Sequence, residues 1–349
     1  MGVPDQYDAD VLITAVVATF NEERHIRTCL EGIFAQVGVA GAVEVLVIDG
    51  DSSDSTVDIV KSFPQYGSTL KLIRNPRRFQ VYAWNIGIRE ATGKFVAFFS
   101  AHTEYSPDFI ATCLEVHART GAANVGGVCV PVGDTLIGDV IAWAMQSPFG
   151  IGNSRQRYST TEQFTDTVYG AFVETSVLRS IGGYDETIPF NEDSEMNYRL
   201  HEAGYRVFLS PNIKVRYHVR PSLPRLAHQM SRYGFWRRRT QLEHPKRVPV
   251  RTLAPPLLLL FLVVCSFAYA LTANVLALII PALYGVFLLA GGLTAVVSRH
   301  SIVSLVATPV VLVTMHLSYG FGWWGGFLVH RRRGRWTQLP SAKPYECYE

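Results

Sequence analysis

The chain has 349 residues, 48% of them hydrophobic and 17% charged; this excludes intrinsic disorder and is too poor in charge for an ordinary soluble enzyme. The charge is unevenly distributed. Residues 1–220 carry 26 acidic and 18 basic side chains, a net charge of −8, whereas residues 221–349 carry 3 and 14, a net charge of +11; the sum is the overall +3. This asymmetry indicates two parts that face different surroundings.

The first 100 residues alternate between short β-branched apolar runs and stretches with helical spacing. Strands are predicted at 11–18, 43–48, 70–74 and 94–99. Helices are predicted at 22–35, 53–63 and 83–91. This alternation is typical of an α/β domain with a mostly parallel, Rossmann-like sheet covered on both faces.

Polar side chains follow each of these four strands. The segments are Thr19–Glu22, Asp49–Ser52, Asn75–Arg78 and Ser100–His102. Because ligands of open parallel sheets bind beyond the carboxyl ends of the strands, these four loops are the candidate site.

The rest of the first domain, taken as residues 1–222, is less regular. A helix is predicted at 192–203 and strands at 207–209 and 214–217. Residues 223–251 then combine arginines with aromatic side chains, a composition typical of a helix that lies in a membrane interface. No internal repeat is visible.

Two long stretches near the end of the chain lack Asp, Glu, Lys and Arg. They cover 47 residues, Thr252–Ser298, and 31 residues, His300–His330, separated by Arg299. Since a bilayer span needs about 20 apolar residues, we predict three hydrophobic helices, at about 253–272, 275–297 and 302–329, within a segment 252–330. A basic tail, 331–349, follows.

Basic residues flank this segment on both sides, and the two flanks conflict. Arg237–Arg239 precede the first helix and Arg331–Arg333 follow the last, and both favour the cytoplasm by the positive-inside rule. Three full crossings would place the two flanks on opposite sides of the membrane, so one of the two signals must yield. We expect the first two helices to form a hairpin and favour a full crossing for the third; the alternative is a re-entrant or interfacial third segment.

The N-terminus and the cysteines give two further expectations. Residues 1–10 lack the basic and apolar regions of a signal peptide. The five cysteines show no paired spacing, so neither a disulfide framework nor a zinc site is expected.

Several motifs in this order resemble one family. The runs VVATFNEERHIRTCLEGIFAQ, VLVIDGDSSDST, NPRRFQVYAWNIGIREATGKFVAFFSAHTEY, GGYDE and NEDSEMNYRL resemble family 2 glycosyltransferases of the GT-A fold. The resemblance extends from Val11 to Leu328, includes MHLSYGFGWWGGFL, and is strongest to the membrane-anchored exopolysaccharide branch, the ExoA-like succinoglycan glucosyltransferases. It implies a GT-A domain followed by an interfacial helix and about three transmembrane helices.

The resemblance implies that residues of all four loops bind a nucleotide sugar. The residues so assigned are Thr19, Asn21, Glu22, Asp49, Asp51, Arg78 and Ser100. Glu22 is expected at the ribose and Asp49 at the imide N–H of uracil, whereas Arg78 suits a phosphate.

Some residues of these loops have a plainer interpretation. Glu23 is expected to open a helix and Asp54 to cap one. Capping remains an alternative for Asp51, and a solvated basic loop remains one for Arg77 and Arg78.

The fourth loop departs from the family pattern. Ser100-Ala101-His102 stands where an Asp-x-Asp or Asp-Ala-His usually holds a divalent metal and the diphosphate. Because imidazole suits Mn²⁺ better than Mg²⁺, we expect Mn²⁺ to be favoured, with His102 as ligand and His218 or Glu104 as a possible second one. A weak site is the alternative.

The Glu-Asp pair at 192–193 resembles the family's catalytic acids. Asp193 is expected to be the general base of an inverting transfer, and Glu192 is expected to position the acceptor or the donor sugar. The plainer interpretation is the acidic first turn of a helix.

The run Gln229-Met230-Ser231-Arg232-Tyr233 resembles the Gln-x-x-Arg-Trp motif of processive members. Gln229, Arg232 and Tyr233 are therefore expected at the acceptor or the diphosphate. Anchoring to lipid headgroups is the alternative.

These observations together predict an inverting hexosyltransferase in polysaccharide biosynthesis. The donor is expected to be a UDP-sugar and the acceptor a polyprenyl-diphosphate-linked glycan; no nucleic acid is expected. The enzyme is expected to be a multi-pass inner-membrane protein with a cytoplasmic catalytic domain. The alternatives are transfer directly to polyprenyl phosphate and a catalytically weak sugar-nucleotide-binding protein.

Overall fold

The computed structural model describes residues 13–39, 41, 43–152, 154–299 and 301–330. Among these residues the chain divides into two compact units, residues 13–130 with 159–217, and residues 131–158 with 218–330. Residues 131–158, within the predicted domain 1–222, thus group with the hydrophobic C-terminal part. The predicted tail and residues 1–10 lie outside the described residues.

Nine strands form one sheet. They are β1 Ile13–Thr19, β2 Val43–Asp49, β3 Leu70–Arg74, β4 Phe95–Ser100, β5 Thr103–Tyr105, β6 Asn124–Val132, β7 Gln163–Phe164, β8 Tyr169–Glu174 and β9 Val207–His218. Their order is β3-β2-β1-β4-β8-β6-β9-β5, with β7 paired to β9.

The sheet is mixed. Strands β1 to β4 pair in parallel, as the alternating pattern predicts. The pairs β4–β8, β6–β8, β5–β9 and β7–β9 are antiparallel. The predicted α/β domain is confirmed, with the parallel half confined to the first four strands.

Within the described residues, eight helices precede the long basic helix at residues 223–243. They are α1 Ile26–Phe34, α2 Thr56–Lys61, α3 Gln80–Glu90, α4 Phe109–Thr120, α5 Leu136–Gln146, α6 Pro148–Ile151, α7 Thr175–Ser180 and α8 Glu192–Glu202. Four longer helices follow: α9 Leu223–Glu243, α10 Ala254–Thr272, α11 Ile279–Arg299 and α12 Ser304–Val329.

Two hydrophobic clusters cover the two faces of the sheet. Successive β1 residues alternate between them: Ala15 and Val17 join α1 and α4, whereas Val16 joins α3, α7 and α8. Strand side chains point alternately to opposite faces, so an almost wholly apolar strand such as β1 is buried on both sides. This packing fixes the strand ends that carry the candidate site.

The predicted C-terminal helices are present. Three helical segments, Val250–Thr272, Val275–Arg299 and Ser304–Val329, are long and apolar enough to cross a membrane. Helix α9 corresponds to the predicted basic interfacial segment, and Pro224 in its first turn is well placed, since proline is tolerated there.

Close packing between α9 and α12 depends on glycine. A Cβ at Gly322 would overlap the carbonyl oxygen of Ser231, and a Cβ at Gly234 would overlap that of Tyr319. By contrast, a Cβ at Gly325 would lie 3.8 Å from Cδ2 of Phe235, an ordinary contact. Small residues on such helix faces let backbones approach closely.

We expect Gly322→Ala and Gly325→Ala to have opposite effects on stability. The first forces α9 and α12 apart and costs about 1–3 kcal/mol. The second gains up to about 1 kcal/mol of helix propensity. Thermal unfolding in detergent measures both; equal melting temperatures for the two variants would contradict this packing.

Candidate functional site

Three strands bring their carboxyl ends together. Thr19 pairs with Asp49 in the β1–β2 register, and Ala18 pairs with Ser100 between β1 and β4. The Thr19 hydroxyl donates to Oδ1 of Asp49 over 3.3 Å. The expectation that polar strand ends gather at one edge is met for these residues.

The first and second loops form one hydrogen-bonded network. The Asn21 N–H donates to the Ser52 hydroxyl over 2.8 Å, and Oδ1 of Asn21 accepts from the Ser53 N–H over 2.8 Å. The Glu22 N–H donates to the Thr56 hydroxyl over 2.8 Å. Asn21 and Asp51 both adopt positive φ, 54° and 62°, a conformation that Asn and Asp tolerate better than other non-glycine residues.

Asp49 is buried in the middle of this network. Its carboxylate accepts from the backbone N–H of Ser52 over 2.9 Å and also from the Ser52 hydroxyl. These bonds hold the loop against β1 and leave part of the acceptor capacity of the carboxylate, which has about four lone-pair sites. Its base-binding role stays a prediction.

Asp51 forms a forked ion pair with Arg74. Nε of Arg74 donates to one carboxylate oxygen, and Nη2 donates to the other over 3.1 Å. The hydrogen bond from Arg74 lowers the pKa of the Asp51 carboxyl. The Asp51 carboxylate is thus engaged by Arg74, and Ser55 stands at the N-cap position of α2.

Asp54 and Glu23 tie the same two loops together. The Asp54 carboxylate accepts from the N–H of Thr56, the first residue of α2, over 3.0 Å, in agreement with the capping interpretation. The expectation for Glu23 is wrong: α1 begins at Ile26, and the Glu23 carboxylate instead accepts from the Ser55 N–H over 3.1 Å. The turn that contains Glu23 is closed by the Ile26 N–H, which donates to the Glu22 carbonyl over 2.8 Å.

The two arginines after β3 have different surroundings. Arg77 pairs with Glu186 over 3.1 Å and lies over the ring of Tyr82. The Arg78 guanidinium lies 5.3 Å from the ring centroid of Phe20, and within the described residues it makes no hydrogen bond. The phosphate-binding role of Arg78 stays a prediction.

The fourth loop places an imidazole beside a carboxylate. Nδ1 of His102 lies 3.0 Å from Oε1 of Glu22, and Nε2 lies 3.4 Å from the Ser100 hydroxyl. The structure places the Glu22 carboxylate beside His102, and its role at the ribose stays a prediction. Oxygen and imidazole donors therefore meet at the ends of β1 and β4.

These donors fit a divalent cation only in part. No group of three His, Cys, Asp or Glu side chains within the described ranges is arranged to hold a metal ion. Glu22 and His102 supply two donors, and sites of this kind are completed by substrate phosphates and water. Of the other candidates, Glu104 pairs with Arg216 over 3.4 Å, and Nδ1 of His218, in the second unit, lies 3.1 Å from Asp134. The metal role of His218 stays a prediction.

The predicted base opens helix α8. Asn191 precedes the helix with φ 63°, and Glu192 and Asp193 form its acidic first turn. Burial raises the pKa of the Asp193 carboxyl to about 6. A carboxyl with a raised pKa near the working pH is suited to accept a proton.

Two tyrosines that the sequence analysis did not single out lie near this carboxyl. Burial and the charge of Asp193 both raise the pKa values of Tyr105 and Tyr184. The Tyr105 hydroxyl also accepts from the Ser100 N–H over 3.1 Å. Tyr105 therefore connects the predicted base with the loop of His102.

Helix α8 is held in place by residues that the sequence analysis also missed. Arg199 donates to both oxygens of the buried Glu195 over 2.6 and 2.8 Å. Nδ2 of Asn197 donates to the Asp193 carbonyl over 2.8 Å, and its Oδ1 accepts from Asn124 over 2.7 Å. The i, i+4 spacing of Glu195 and Arg199 is a signal that indicates such a pair.

The Gln-x-x-Arg-Tyr motif lies on α9, in the second unit. Nε2 of Gln229 donates to the Tyr233 hydroxyl over 3.1 Å, so these side chains share one face of the helix. The predicted roles of Gln229, Arg232 and Tyr233 stay predictions.

Comparison with known proteins identifies the family of this chain. Residues 14–182 match the family model "Glycosyl transferase family 2". The chain is 30% identical over 230 residues to the dolichyl N-acetyl-α-D-glucosaminyl phosphate 3-β-D-2,3-diacetamido-2,3-dideoxy-β-D-glucuronosyltransferase of Methanococcus voltae, covering 64% of this chain and 71% of that one. It is 28% identical over 323 residues to the succinoglycan biosynthesis protein ExoA of Rhizobium meliloti, covering 91% and 96%.

A solved structure shares the fold. The mannosyltransferase PcManGT of Pyrobaculum calidifontis, in complex with GDP-Man and Mn²⁺, superposes with a TM-score of 0.58 at 19% identity, covering 91% of this chain and 87% of that one. Motif order, fold and the identity to the Methanococcus voltae enzyme lead to one conclusion. The chain belongs to glycosyl transferase family 2 and is a glycosyltransferase with a GT-A-like domain.

Proposed function

We propose that this enzyme transfers a sugar, with inversion, from a UDP-sugar to a polyprenyl-diphosphate-linked glycan in polysaccharide biosynthesis. The observation that carries the proposal is the Asp193 carboxyl, half-buried at the first turn of α8, where desolvation raises its pKa to about 6. A single well-placed base is what an inverting displacement requires, whereas a retaining double displacement also needs a nucleophile.

The proposed step is one displacement. The acceptor hydroxyl oxygen forms a bond to the anomeric carbon of the donor while the bond from that carbon to the diphosphate oxygen breaks. The hydroxyl proton passes to Asp193, and the bonding electrons leave with the nucleotide diphosphate. Glu192, in the same turn, positions the reacting sugar.

On the donor side, the network of the first two loops holds the nucleotide. The Asp49 carboxylate accepts the imide N–H of uracil. Thr19 and Asn21 lie around the base and the ribose, and Arg78 binds a phosphate. A divalent cation held by Glu22 and His102 would neutralise negative charge on the diphosphate. The GDP-Man and Mn²⁺ of the Pyrobaculum calidifontis structure support a nucleotide-sugar donor and a divalent metal.

The acceptor is assigned from the C-terminal helices and the relatives. The name of the Methanococcus voltae enzyme includes a dolichyl-linked phosphate, and ExoA is named for succinoglycan biosynthesis. Anchoring by the apolar helices concentrates the enzyme where a lipid-linked acceptor lies. Arg237–Arg239 favour a cytoplasmic face of the inner membrane for the catalytic domain.

The test uses purified enzyme in membranes that contain lipid-linked glycan. We expect a radiolabelled UDP-sugar to give an organic-extractable product, and mild acid to release a labelled oligosaccharide rather than a monosaccharide. Release of a labelled monosaccharide would point to polyprenyl phosphate as acceptor and overturn the proposal. The control is Asp193→Asn, which should give no labelled lipid; absence of transfer by the unaltered enzyme would favour a sugar-nucleotide-binding protein.

A further inference from the structure

The start of α12 lies beside the end of α11. A Cβ at Gly292 in α11 would meet the Leu305 carbonyl oxygen and the ring of Pro309, both in the first turns of α12. Arg299, the last residue of α11, pairs with Asp139 of α5 over 3.1 Å and also donates to the Asp139 carbonyl over 3.0 Å. The contact between Arg299 and Asp139 thus fixes the end of α11 from which the connection to α12 begins.

The other end of α12 lies beside the start of α10. The Trp324 indole N–H donates to the Pro256 carbonyl over 2.9 Å, and Gly320 approaches the Pro255 carbonyl. Pro255 and Pro256 are in the first turn of α10. The last turns of α12 therefore adjoin the point where α10 begins.

Helix α12 bridges two helices that are otherwise apart. Helix α12 packs on both α10 and α11, whereas α10 and α11 contact each other little beyond their connecting turn. If α10 and α11 form a membrane hairpin, their unconnected ends share one side. The first and last turns of α12 contact these two helices near those ends, and between them His316 of α12 reaches the Tyr284 hydroxyl of α11 over 3.0 Å. The length of α10, 19 residues, corresponds to about 28 Å and suffices for a crossing.

The surroundings of the last turns of α12 are basic. The Arg238 guanidinium of α9 lies 5.1 Å from the ring centroid of Trp323 and 5.2 Å from that of Phe327. The Trp323 indole N–H donates to Gln241 over 2.7 Å. Arginines and tryptophans gather at the membrane–water interface, not at its centre.

We infer that α12 lies in the membrane interface against α9, and that the chain crosses the bilayer twice, by α10 and α11. Of the 18-residue apolar stretch of α12, 39% is buried inside the protein. The corresponding share is 6% for the segment Val250–Thr272 and 11% for the segment Val275–Arg299. Both basic flanks that the sequence predicts to be cytoplasmic are then on one side. The inference rests on the proposed membrane insertion and not on the reaction.

The experiment places single cysteines in the full chain with Cys347→Ser as background. Val275→Cys reports on the exposed turn between α10 and α11, Ser301→Cys on the α11–α12 connection, and Val329→Cys on the exposed end of α12. A membrane-impermeant maleimide is added to spheroplasts and to inverted vesicles. We expect Val275→Cys to react in spheroplasts and the other two only in inverted vesicles.

The background chain is the control, since Cys29, Cys113 and Cys129 are buried and Cys265 lies within the apolar helix α10; all four should stay unlabelled until the protein is denatured. Reaction of Val329→Cys in spheroplasts, together with Val275→Cys, would establish three crossings and overturn the inference. Reaction of Ser301→Cys in spheroplasts would overturn it as well, because the hairpin itself would be absent. Labelling does not require activity, so a failed reaction assay leaves this result interpretable.

Discussion

Asp193→Asn is expected to lower the turnover number by about 10²- to 10⁴-fold, while the dissociation constant of UDP changes little. The amide has the shape of the carboxylate but cannot accept the proton of the acceptor hydroxyl. Because the nucleotide loops follow β1, β2 and β3, donor binding should survive the loss of this group. Steady-state kinetics and UDP titration measure the two effects.

The matched control is Glu202→Gln, which removes a carboxylate from the exposed end of the same helix. It should keep near-normal turnover. Retention of a tenth of the original turnover by Asp193→Asn would exclude Asp193 as the base.

The same assignment gives a pH dependence with a defined sign. The pKa of Asp193, raised to about 6 by burial, predicts that activity falls as the pH drops through about 6, because the protonated carboxyl cannot act as a base. The folded state binds this proton more tightly than the unfolded state does. Below the ordinary pKa of 3.8 both states are protonated and the carboxyl has no effect on stability, whereas above about pH 6 the ionised carboxylate lowers the stability of the fold. Asp193→Asn should therefore have a higher melting temperature than the unaltered enzyme at pH 7.5.

His102→Ala is expected to raise the Mn²⁺ concentration for half-maximal activity by about 10- to 100-fold. In the unaltered enzyme Mn²⁺ should support more activity than Mg²⁺, because imidazole suits the softer ion. Direct titration of Mn²⁺ by electron paramagnetic resonance, with UDP present, gives a readout that is independent of turnover.

Glu22 provides a second test of the same site, since its Oε1 lies 3.0 Å from Nδ1 of His102. Glu22→Gln should also weaken Mn²⁺ binding, whereas a ribose contact alone would weaken UDP binding without metal. Ser106→Ala, after β5 and outside these contacts, is the control. Equal activity with a chelator present, or an unchanged metal response in His102→Ala, would exclude the metal role.

Much of the catalytic half could be predicted from local patterns. Buried parallel strands are apolar throughout and end in polar loops, so β1 to β4 and the residues after them are visible as a periodicity. The acidic turn at Glu192 and Asp193 is also a local pattern. The order of this and the other motifs along the chain identifies the family. The three hydrophobic helices follow from composition alone.

Other features depend on residues far apart in the chain. Strands β5 and β7 have three and two residues, too short for a pattern. Strand β9 continues through Pro211 and Asn212, with β7 paired to it before these residues and β5 after them. The contact of Glu22 with His102 joins loops 80 residues apart, and only the β1–β4 register brings them together. The partial burial of Asp193 likewise arises from tertiary packing.

The sequence by itself determined the α/β start of the domain, the order of its polar loops, the family motifs and the three apolar helices, because each is encoded within one turn, strand or span. Only the tertiary structure decided that the sheet becomes antiparallel after β4, that Glu22 faces His102 and that α12 packs on α9. A glycine-rich apolar helix has the same hydrophobic pattern whether lipid or another helix covers it. Whether α9 or lipid covers α12 depends on how closely the two helix backbones approach each other at positions such as Gly322. A hydropathy pattern does not encode this approach.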